Sequence, residues 1–252
     1  MRYRHEYRNI RRVPRKTGTL AAGGRTTPLK AWLRKTSLYH PVRNWLRTLK
    51  HGRELRRWER RGRPVPPPHI VKQRTIRSLA DRFGLKILVE TGTYYGDMVE
   101  AMKRRFSRLY SIELNRELSE RAAKRFRGER HVRIIRGDSG IELGKLIGQL
   151  DRPALFYLDG HYSGGTTAKG NNDTPIYEEL THILTARQRG HVIVIDDARC
   201  FGTDPAYPSI QKLEEFVRSR RPDATVEIED DSIRITSSAI AAGMSPPDGD
   251  GQ

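Results

Sequence analysis

The sequence predicts an α/β protein in which helices cover both faces of a mostly parallel, seven-stranded β-sheet. From Leu85 onward, short apolar runs typical of buried strands alternate with segments of helical periodicity, which is the pattern of a parallel sheet with crossover helices. The first apolar run ends in a glycine-containing turn. Only the turn Glu229-Asp230-Asp231 separates the last two strand candidates, so we expect an antiparallel edge strand.

The predicted elements follow one another in a regular order. A lead-in helix at 70–83 carries apolar side chains on one side and precedes the first strand. Strands are predicted at 86–90, 108–113, 132–136, 154–159, 191–196, 224–229 and 232–236. Helices are predicted at 97–106, 115–127, 139–149, 174–187 and 208–219.

Net charge is concentrated in the N-terminal third of the chain. Residues 1–75 contain 22 Lys and Arg residues against three acids, a net charge of +19, whereas residues 76–252 contain 26 against 27 acids, a net charge of −1. The high isoelectric point therefore says little about the substrate of the later domain. The single cysteine, Cys200, excludes an intramolecular disulfide framework and suits a reducing compartment.

The composition divides the chain into three parts. Residues 1–68 form a basic extension with an aperiodic, disordered start, a basic amphipathic helix weakened at Gly52, and a Pro-rich linker. Residues 69–237 form the α/β domain. Residues 238–252 are predicted to form a flexible tail.

Three uses of the basic extension stay open. Its apolar stripe could pack on the α/β domain or on a second subunit of a homo-oligomer. Alternatively, the basic residues and tryptophans of residues 1–65 could lie on an anionic membrane surface, or contact nucleic acid through phosphates. No apolar run reaches the length of a membrane-spanning helix. We therefore expect a cytoplasmic protein, with a peripheral position at the membrane as the alternative.

Acidic residues stand at the ends of five strand candidates. Glu90, Glu113, Asp159 and Asp196 end a strand or follow it directly, and Asp138 follows another after one glycine. Because the carboxyl ends of strands in an open α/β sheet line the ligand crevice, these side chains are candidates for a site. Capping of the following helix is the alternative, above all for Asp138.

The turn from Glu90 to Gly96 indicates a nucleotide-type cofactor, because its glycines permit a sharp turn and close approach of a ligand. Glu113 follows Gly92 at the spacing of a carboxylate that binds a ribose diol. The turn lacks the Gly-x-Gly-x-x-Gly pattern of a pyrophosphate cradle. Glu90 would repel a phosphate but would attract an ammonium group. The sign of this charge favours S-adenosylmethionine over a dinucleotide.

Five motifs together resemble class I S-adenosylmethionine-dependent methyltransferases over about residues 70–220: ETGTYYG, YSIEL, RGDS, FYLDGHY and VIVIDDAR. Within that class they are most similar to the metal-dependent O-methyltransferases of the macrocin and novobiocin type. The resemblance implies a Rossmann-like methyltransferase fold. It also implies that Glu113 holds the ribose, that Asp138 and Ser139 flank the adenine, and that the methionine part is cradled by Glu90, Gly92, Thr93 and Gly96.

A second group of acids predicts a site for a divalent cation such as Mg²⁺, which prefers carboxylate oxygens. The resemblance implies that Asp159 is a metal ligand after the fourth strand, and that Asp196 and Asp197 are ligands after the fifth. The metal would bind a substrate hydroxyl and lower its pKa. A metal-free site, with Asp197 as a helix or turn cap, is the alternative.

His161 is the predicted general base, and Asp159 is assigned with it to the catalytic group. His161 stands where the macrocin-like proteins carry an acidic base, so this sequence departs from the family there. A histidine titrates near neutrality and can accept a hydroxyl proton. Holding the following loop or touching the cofactor is the alternative.

The sequence thus predicts an O-methyltransferase that uses S-adenosylmethionine, with metal assistance, on a hydroxyl of a sugar, glycan or glycosylated small molecule. The long, polar, Gly-rich loop at 162–174 suits such an acceptor. Two alternatives stay open. One is an RNA methyltransferase that uses the basic arm, although LDGH is not the Asn/Asp-Pro-Pro-Tyr type of tetrapeptide that such enzymes often carry. The other is a non-catalytic binding protein on the same fold.

Overall fold

The computed structural model describes residues 39–159, 174–187 and 190–237, with side chains from residue 50 onward. The chain divides into two compact units between Gly62 and Arg63. In the first unit, helix α1 (Tyr39–Arg60) falls within the region predicted to be a basic amphipathic helix, and it continues through Gly52. The predictions for 1–28 and 238–252 lie outside the described residues. None of the described helices is both long and apolar enough to cross a lipid bilayer.

The second unit contains one seven-stranded sheet. Its strands are β1 (Ile87–Thr91), β2 (Arg108–Glu113), β3 (Val132–Arg136), β4 (Leu155–Leu158), β5 (Val192–Ile195), β6 (Ala224–Glu229) and β7 (Ser232–Ser237). Their order across the sheet is β3-β2-β1-β4-β5-β7-β6. The four pairings among β1 to β5 are parallel, whereas β7 runs antiparallel to both β5 and β6.

This topology confirms the predicted fold class, a mostly parallel α/β sheet of the Rossmann-like methyltransferase type. The predicted antiparallel pair is also confirmed. The reversed strand, β7, lies one place in from the edge, and β6 is outermost. The chain reverses at Asp230 and Asp231, which both adopt positive φ angles, of 50° and 63°. Aspartate tolerates this left-handed conformation better than most residues, so the hairpin turn is tight.

Helices flank the sheet as predicted: α2 (His69–Arg82), α3 (Asp97–Met102), α4 (Arg116–Phe126), α5 (Ser139–Ile147), α6 (Ile176–Thr185) and α7 (Ile210–Arg220). A short 3₁₀ turn, η1 (Ala198–Cys200), follows β5. Three of the helices begin with a side-chain cap, because Asn115, Asp138 and Ser209 accept hydrogen bonds from backbone N–H groups in the first turn. Helix α3 is shorter than predicted.

Two hydrophobic cores lie on the two faces of the sheet. Strand β1 is fully buried and contributes side chains to both cores, because Ile87 and Val89 lie in one core while Leu88 lies in the other. The first core packs β1 against α5, α6 and α7, and the second packs it against α2, α3 and α4. A strand buried on both faces needs an unbroken apolar run, which is what the sequence has.

The strand order reverses between β1 and β4, and this position sets where a ligand can bind. Successive connections lead from β1 outward through β2 to β3, and then back across to β4 on the other side of β1. The carboxyl ends of β1 and β4 therefore border a crevice that no crossover covers. Glu90, Asp159 and Asp196 lie at this edge of the sheet.

Replacing Leu143 with alanine should lower the free energy of unfolding by about 2–5 kcal/mol, because Leu143 is fully buried in the first core and the change leaves a cavity. Ile141 lies on the same helix but is 53 % exposed, so Ile141→Ala is the matched control and should change stability by no more than about 0.5 kcal/mol. Urea unfolding of both variants measures the difference. Equal losses would show that this face of the helix is not packed on the sheet.

Candidate functional site

The glycine turn after β1 has the backbone that its sequence predicts. Gly92 and Gly96 have positive φ angles of 84° and 74°. The Gly92 N–H donates to the Ile112 carbonyl at 2.9 Å, which ties the turn to β2. A Cβ atom at Gly96 would lie 2.7 Å from Cε2 of Phe126, so the turn packs too closely on α4 for any side chain there. The turn therefore requires glycine at position 96 for two independent reasons.

Glu90 is a buried acid beneath this turn, with 2 % of its surface exposed. The Ser111 hydroxyl donates to Glu90 Oε2, and Thr93 Oγ1 lies 2.6 Å from the same hydroxyl. Burial, together with the nearby charge of Glu113, raises the pKa of Glu90 to about 8. A buried carboxyl of this kind ionises readily only when a cation arrives. The site therefore fits the ammonium group of an amino-acid ligand.

Glu113 fastens the glycine turn to the end of β2. Its Oε2 accepts from the Tyr94 N–H at 2.8 Å, and its Oε1 accepts from the Asn115 N–H at 2.9 Å. Tyr94 has a positive φ of 49°, so this bond holds a residue in an unfavourable backbone conformation. Each carboxylate oxygen has a second acceptor position, which leaves Glu113 able to accept from a ligand hydroxyl.

Asp138 caps helix α5, which was the alternative to its predicted contact with adenine. Its Oδ1 accepts from the Gly140 N–H at 2.9 Å. Ser139 is the first residue of α5 and is 9 % exposed. Capping uses one carboxylate oxygen, so the two functions are compatible. The Gly137 N–H donates to the Glu113 carbonyl at 3.0 Å, which places the ends of β2 and β3 side by side.

Asp159 and Asp196 meet at the ends of the neighbouring strands β4 and β5. The Tyr157 hydroxyl donates to Asp196 Oδ2 at 2.6 Å and lies 3.3 Å from Asp159 Oδ2. Burial raises the pKa of Asp159 well above its usual range, and the adjacent Asp196 charge adds to the effect. The structure thus brings together two of the carboxylates that the sequence assigns to a metal.

A lysine from outside the predicted motifs lies among these acids. Lys72 Nζ, on α2, contacts Asp196 Oδ2 and lies 3.4 Å from Asp197 Oδ1. The Asp196 side chain is 1 % exposed and that of Lys72 is 18 % exposed. Burial lowers the pKa of Lys72, but the facing carboxylates, Asp196 foremost, raise it further, so the pKa lies above its usual value. The ammonium is therefore charged.

Asp197 is held by a second cation. Arg199 Nη1 donates to Asp197 Oδ1 at 2.8 Å and also to Asp231 Oδ2. The backbone N–H of Arg199 donates to Asp231 Oδ1 at 2.9 Å. Asp197 occupies the N-cap position of η1 but makes no capping bond with its side chain. The side chain of Asp197 therefore does not cap η1, and it contacts two cations instead.

The residues described here do not fit the predicted Mg²⁺ site. Within 39–159, 174–187 and 190–237, no group of three or more His, Cys, Asp or Glu side chains has the geometry to hold a metal ion. The physical reason is that Lys72 and Arg199 face the oxygens of Asp196 and Asp197 that a metal would bind. His161 and the loop after it lie outside the described residues, so the predicted base stays a prediction.

The sequence patterns do not single out two side chains that contact these aspartates. Tyr157 reads as an ordinary strand residue, although its alternation with Phe156 and Leu158 puts it on the opposite face from them. Lys72 stands one helical turn before the fully buried Ile76, so helical periodicity alone could have placed it at the border of the packed stripe. Glu179, on α6, is a further buried acid, near Ser139 and Thr91, and burial raises its pKa to about 7 against the opposing effect of these two hydroxyls.

Protein-family models and curated protein sequences give no match to this chain. Solved structures with a similar fold include the O-methyltransferase TomG from Streptomyces achromogenes in complex with S-adenosylmethionine (20 % identity, TM-score 0.47, 74 % of this chain and 88 % of that chain). An O-methyltransferase from Bacillus cereus bound to S-adenosylhomocysteine aligns at 15 % identity, with a TM-score of 0.49, over 74 % of this chain and 89 % of that one. A putative rRNA methylase from Clostridium thermocellum aligns at 14 % identity, with a TM-score of 0.46, over 64 % of this chain and 93 % of that one. At such identities the likeness concerns the fold.

Proposed function

We propose that this chain is an S-adenosylmethionine-dependent methyltransferase that acts on a hydroxyl of a sugar, a glycan or a glycosylated small molecule. The observation that carries the cofactor assignment is Glu90, a buried carboxyl that lies beneath the glycine turn and that no cation of the described residues faces. An ammonium ligand supplies the missing positive charge. A phosphate ligand has the same sign as the ionised carboxylate and would oppose its ionisation.

The cofactor would lie along the carboxyl ends of β1, β2 and β3. Gly92 would let a ligand approach the backbone closely, whereas Gly96 lets the turn pack on Phe126. Glu113, which holds the turn through the Tyr94 N–H, would accept from a ribose hydroxyl, and Asp138 and Ser139 would flank the adenine. When bound, S-adenosylmethionine supplies an electrophilic methyl group on its sulfonium. Because the displacement is in line, what the chain contributes is mainly positioning.

The acceptor would bind beside the ends of β4 and β5. Asp159, Tyr157 and Lys72 offer both acceptors and donors there, which suits a substrate with several hydroxyl groups. In this proposal His161 is the candidate for removing the proton of the reacting hydroxyl, and Asp159 accepts a hydrogen bond from a neighbouring hydroxyl of the acceptor. Among the described residues, Lys72 and Arg199 already face the oxygens of Asp196 and Asp197 on this side of the crevice.

Binding of S-adenosylhomocysteine should weaken as the pH falls from 8 to 6, approaching about tenfold per pH unit. In the free protein the pKa of Glu90 is about 8, so below that pH the ligand ammonium must displace a proton. Calorimetry in buffers of different ionisation enthalpy would detect the released proton. Glu90→Gln should bind weakly at every pH and release none.

Glu117→Gln is the matched control for this measurement, because Glu117 is an exposed acid on α4. It should keep both the affinity and the pH dependence of the unaltered chain. Binding of equal strength in Glu90→Gln and in the unaltered chain at pH 8 would contradict the assignment of Glu90 to the ligand ammonium.

Methyl transfer should be detected from S-adenosylmethionine labelled in the methyl group. The panel of acceptors contains free sugars, glycosides, a glycan extract and total RNA, and the label is located by mass spectrometry. Label on a sugar hydroxyl is the expected result. Label on RNA alone would show that the acceptor is RNA and not a sugar. Binding of S-adenosylmethionine without transfer to any acceptor would favour a non-catalytic protein.

A further inference from the structure

We propose that the ammonium of Lys72 is the resident cation of the aspartate cluster, defined as Asp159, Asp196 and Asp197, in the place where the sequence predicts a divalent metal. The chain would thus supply this cation from its own helix α2. The proposal about cation occupancy stands on the geometry alone. Its consequence for turnover rests on the proposed function.

Both carboxylate oxygens of Asp196 are already engaged. Its Oδ2 contacts Lys72 Nζ and accepts from the Tyr157 hydroxyl at 2.6 Å. Its Oδ1 accepts from the Asp197 N–H at 3.0 Å. A divalent ion such as Mg²⁺ binds oxygen at about 2.0–2.1 Å. To bind Asp196 Oδ2, it would have to occupy the space that the Lys72 ammonium now fills. The two cations therefore compete for one position.

Asp197 is engaged in the same way. Its Oδ1 faces Lys72 Nζ at 3.4 Å and Arg199 Nη1 at 2.8 Å. Arg199 is itself anchored by Asp231, whose side chain is fully buried. A metal at this oxygen would have to displace an arginine that a second buried carboxylate holds in place. Lys72 and Arg199 together carry two positive charges, the same charge as one divalent ion.

Packing keeps Lys72 at the aspartate cluster. Helix α2 is fixed to the sheet by its buried residues, among them Val71, Ile76 and Ala80. The helix cannot move the lysine away without exposing this apolar surface to water. Removal of the ammonium would leave the buried Asp196 carboxylate without its cation, which is strongly unfavourable. The cluster thus needs a cation, and the fold places one there.

The ammonium also has a donor left for a substrate. It carries three N–H groups, and its observed contacts are with Asp196 and Asp197. In the proposed reaction the third N–H would orient the oxygen of the acceptor hydroxyl toward the methyl group. Lys72 would therefore be a positioning residue, and turnover would not require a divalent ion.

The direct test is Mn²⁺ binding, followed by electron paramagnetic resonance of the full chain. We expect the unaltered protein to show no site at the cluster up to about 1 mM Mn²⁺, the weak end of carboxylate sites. Lys72→Met should gain one Mn²⁺ per chain, and Lys72→Met combined with Asp196→Asn should lose it again. A Mn²⁺ site in the unaltered protein that disappears in Asp196→Asn would overturn the proposal, whether or not the lysine variant folds.

The matched control is Lys103→Met. The Lys103 side chain is 17 % exposed, as against 18 % for Lys72, and it also pairs with two acids, Glu100 at 3.2 Å and Glu129 at 2.8 Å, which are more exposed than the partners of Lys72. This variant should gain no Mn²⁺ site. A folded Lys72→Met variant that gains none either would contradict the proposal, because the three aspartates would then not be a cation site.

Turnover adds a second comparison once an acceptor is known. The unaltered protein should keep its activity in EDTA, and Lys72→Met should lose most of its kcat while S-adenosylhomocysteine binds as before. Lys72→Arg should recover part of the activity without gaining Mn²⁺. Loss of activity in EDTA would overturn the proposal. Failure of S-adenosylhomocysteine to bind at all would overturn the proposed function, but the Mn²⁺ experiment would still test whether Lys72 occupies the aspartate cluster.

Discussion

The parallel pairing of β2, β1, β4 and β5, in that order, is the constraint on which the candidate site depends. It places the carboxyl ends of these four strands at one edge and opens a crevice where the strand order reverses. The two cores fix this arrangement, since β1 is buried on both faces. Glu90, Glu113, Asp159 and Asp196 are neighbours because of this pairing, although they are distant in sequence.

The two sides of the crevice differ in whether their buried acids face a cation of the chain. Beneath the glycine turn, Glu90 has a hydroxyl partner and a raised pKa, so it is complementary to a cation carried by a ligand. At the ends of β4 and β5, Asp196 and Asp197 already face Lys72 and Arg199. Buried charges are stable only when paired, so the first side is incomplete without a ligand while the second is complete. This difference gives a physical basis for a cofactor side and an acceptor side.

The sequence could predict the sheet because strand periodicity and length are local properties of the chain. It could also predict the acids at the strand ends, since topology brings those ends together. It could not predict the partners of the acids. The contact of Lys72 with Asp196 joins residues 124 positions apart, and it arises from the packing of α2 rather than from any motif. The predicted metal followed from the acids alone, and the nearby cations change what those acids can bind. Likewise, the strand patterns predict that β6 and β7 pair, but not that β7 rather than β6 lies next to β5.

One measurement tests both sides of the crevice together: a crystal structure grown with S-adenosylhomocysteine and Mn²⁺, with anomalous diffraction recorded at the manganese edge. The result we expect is ligand density with its amino nitrogen within hydrogen-bonding distance of Glu90, Lys72 Nζ against Asp196, and no anomalous peak at the aspartate cluster. A manganese peak between Asp159, Asp196 and Asp197 with Lys72 displaced would contradict the account of the acceptor side. Ligand bound away from Glu90 would contradict the account of the cofactor side.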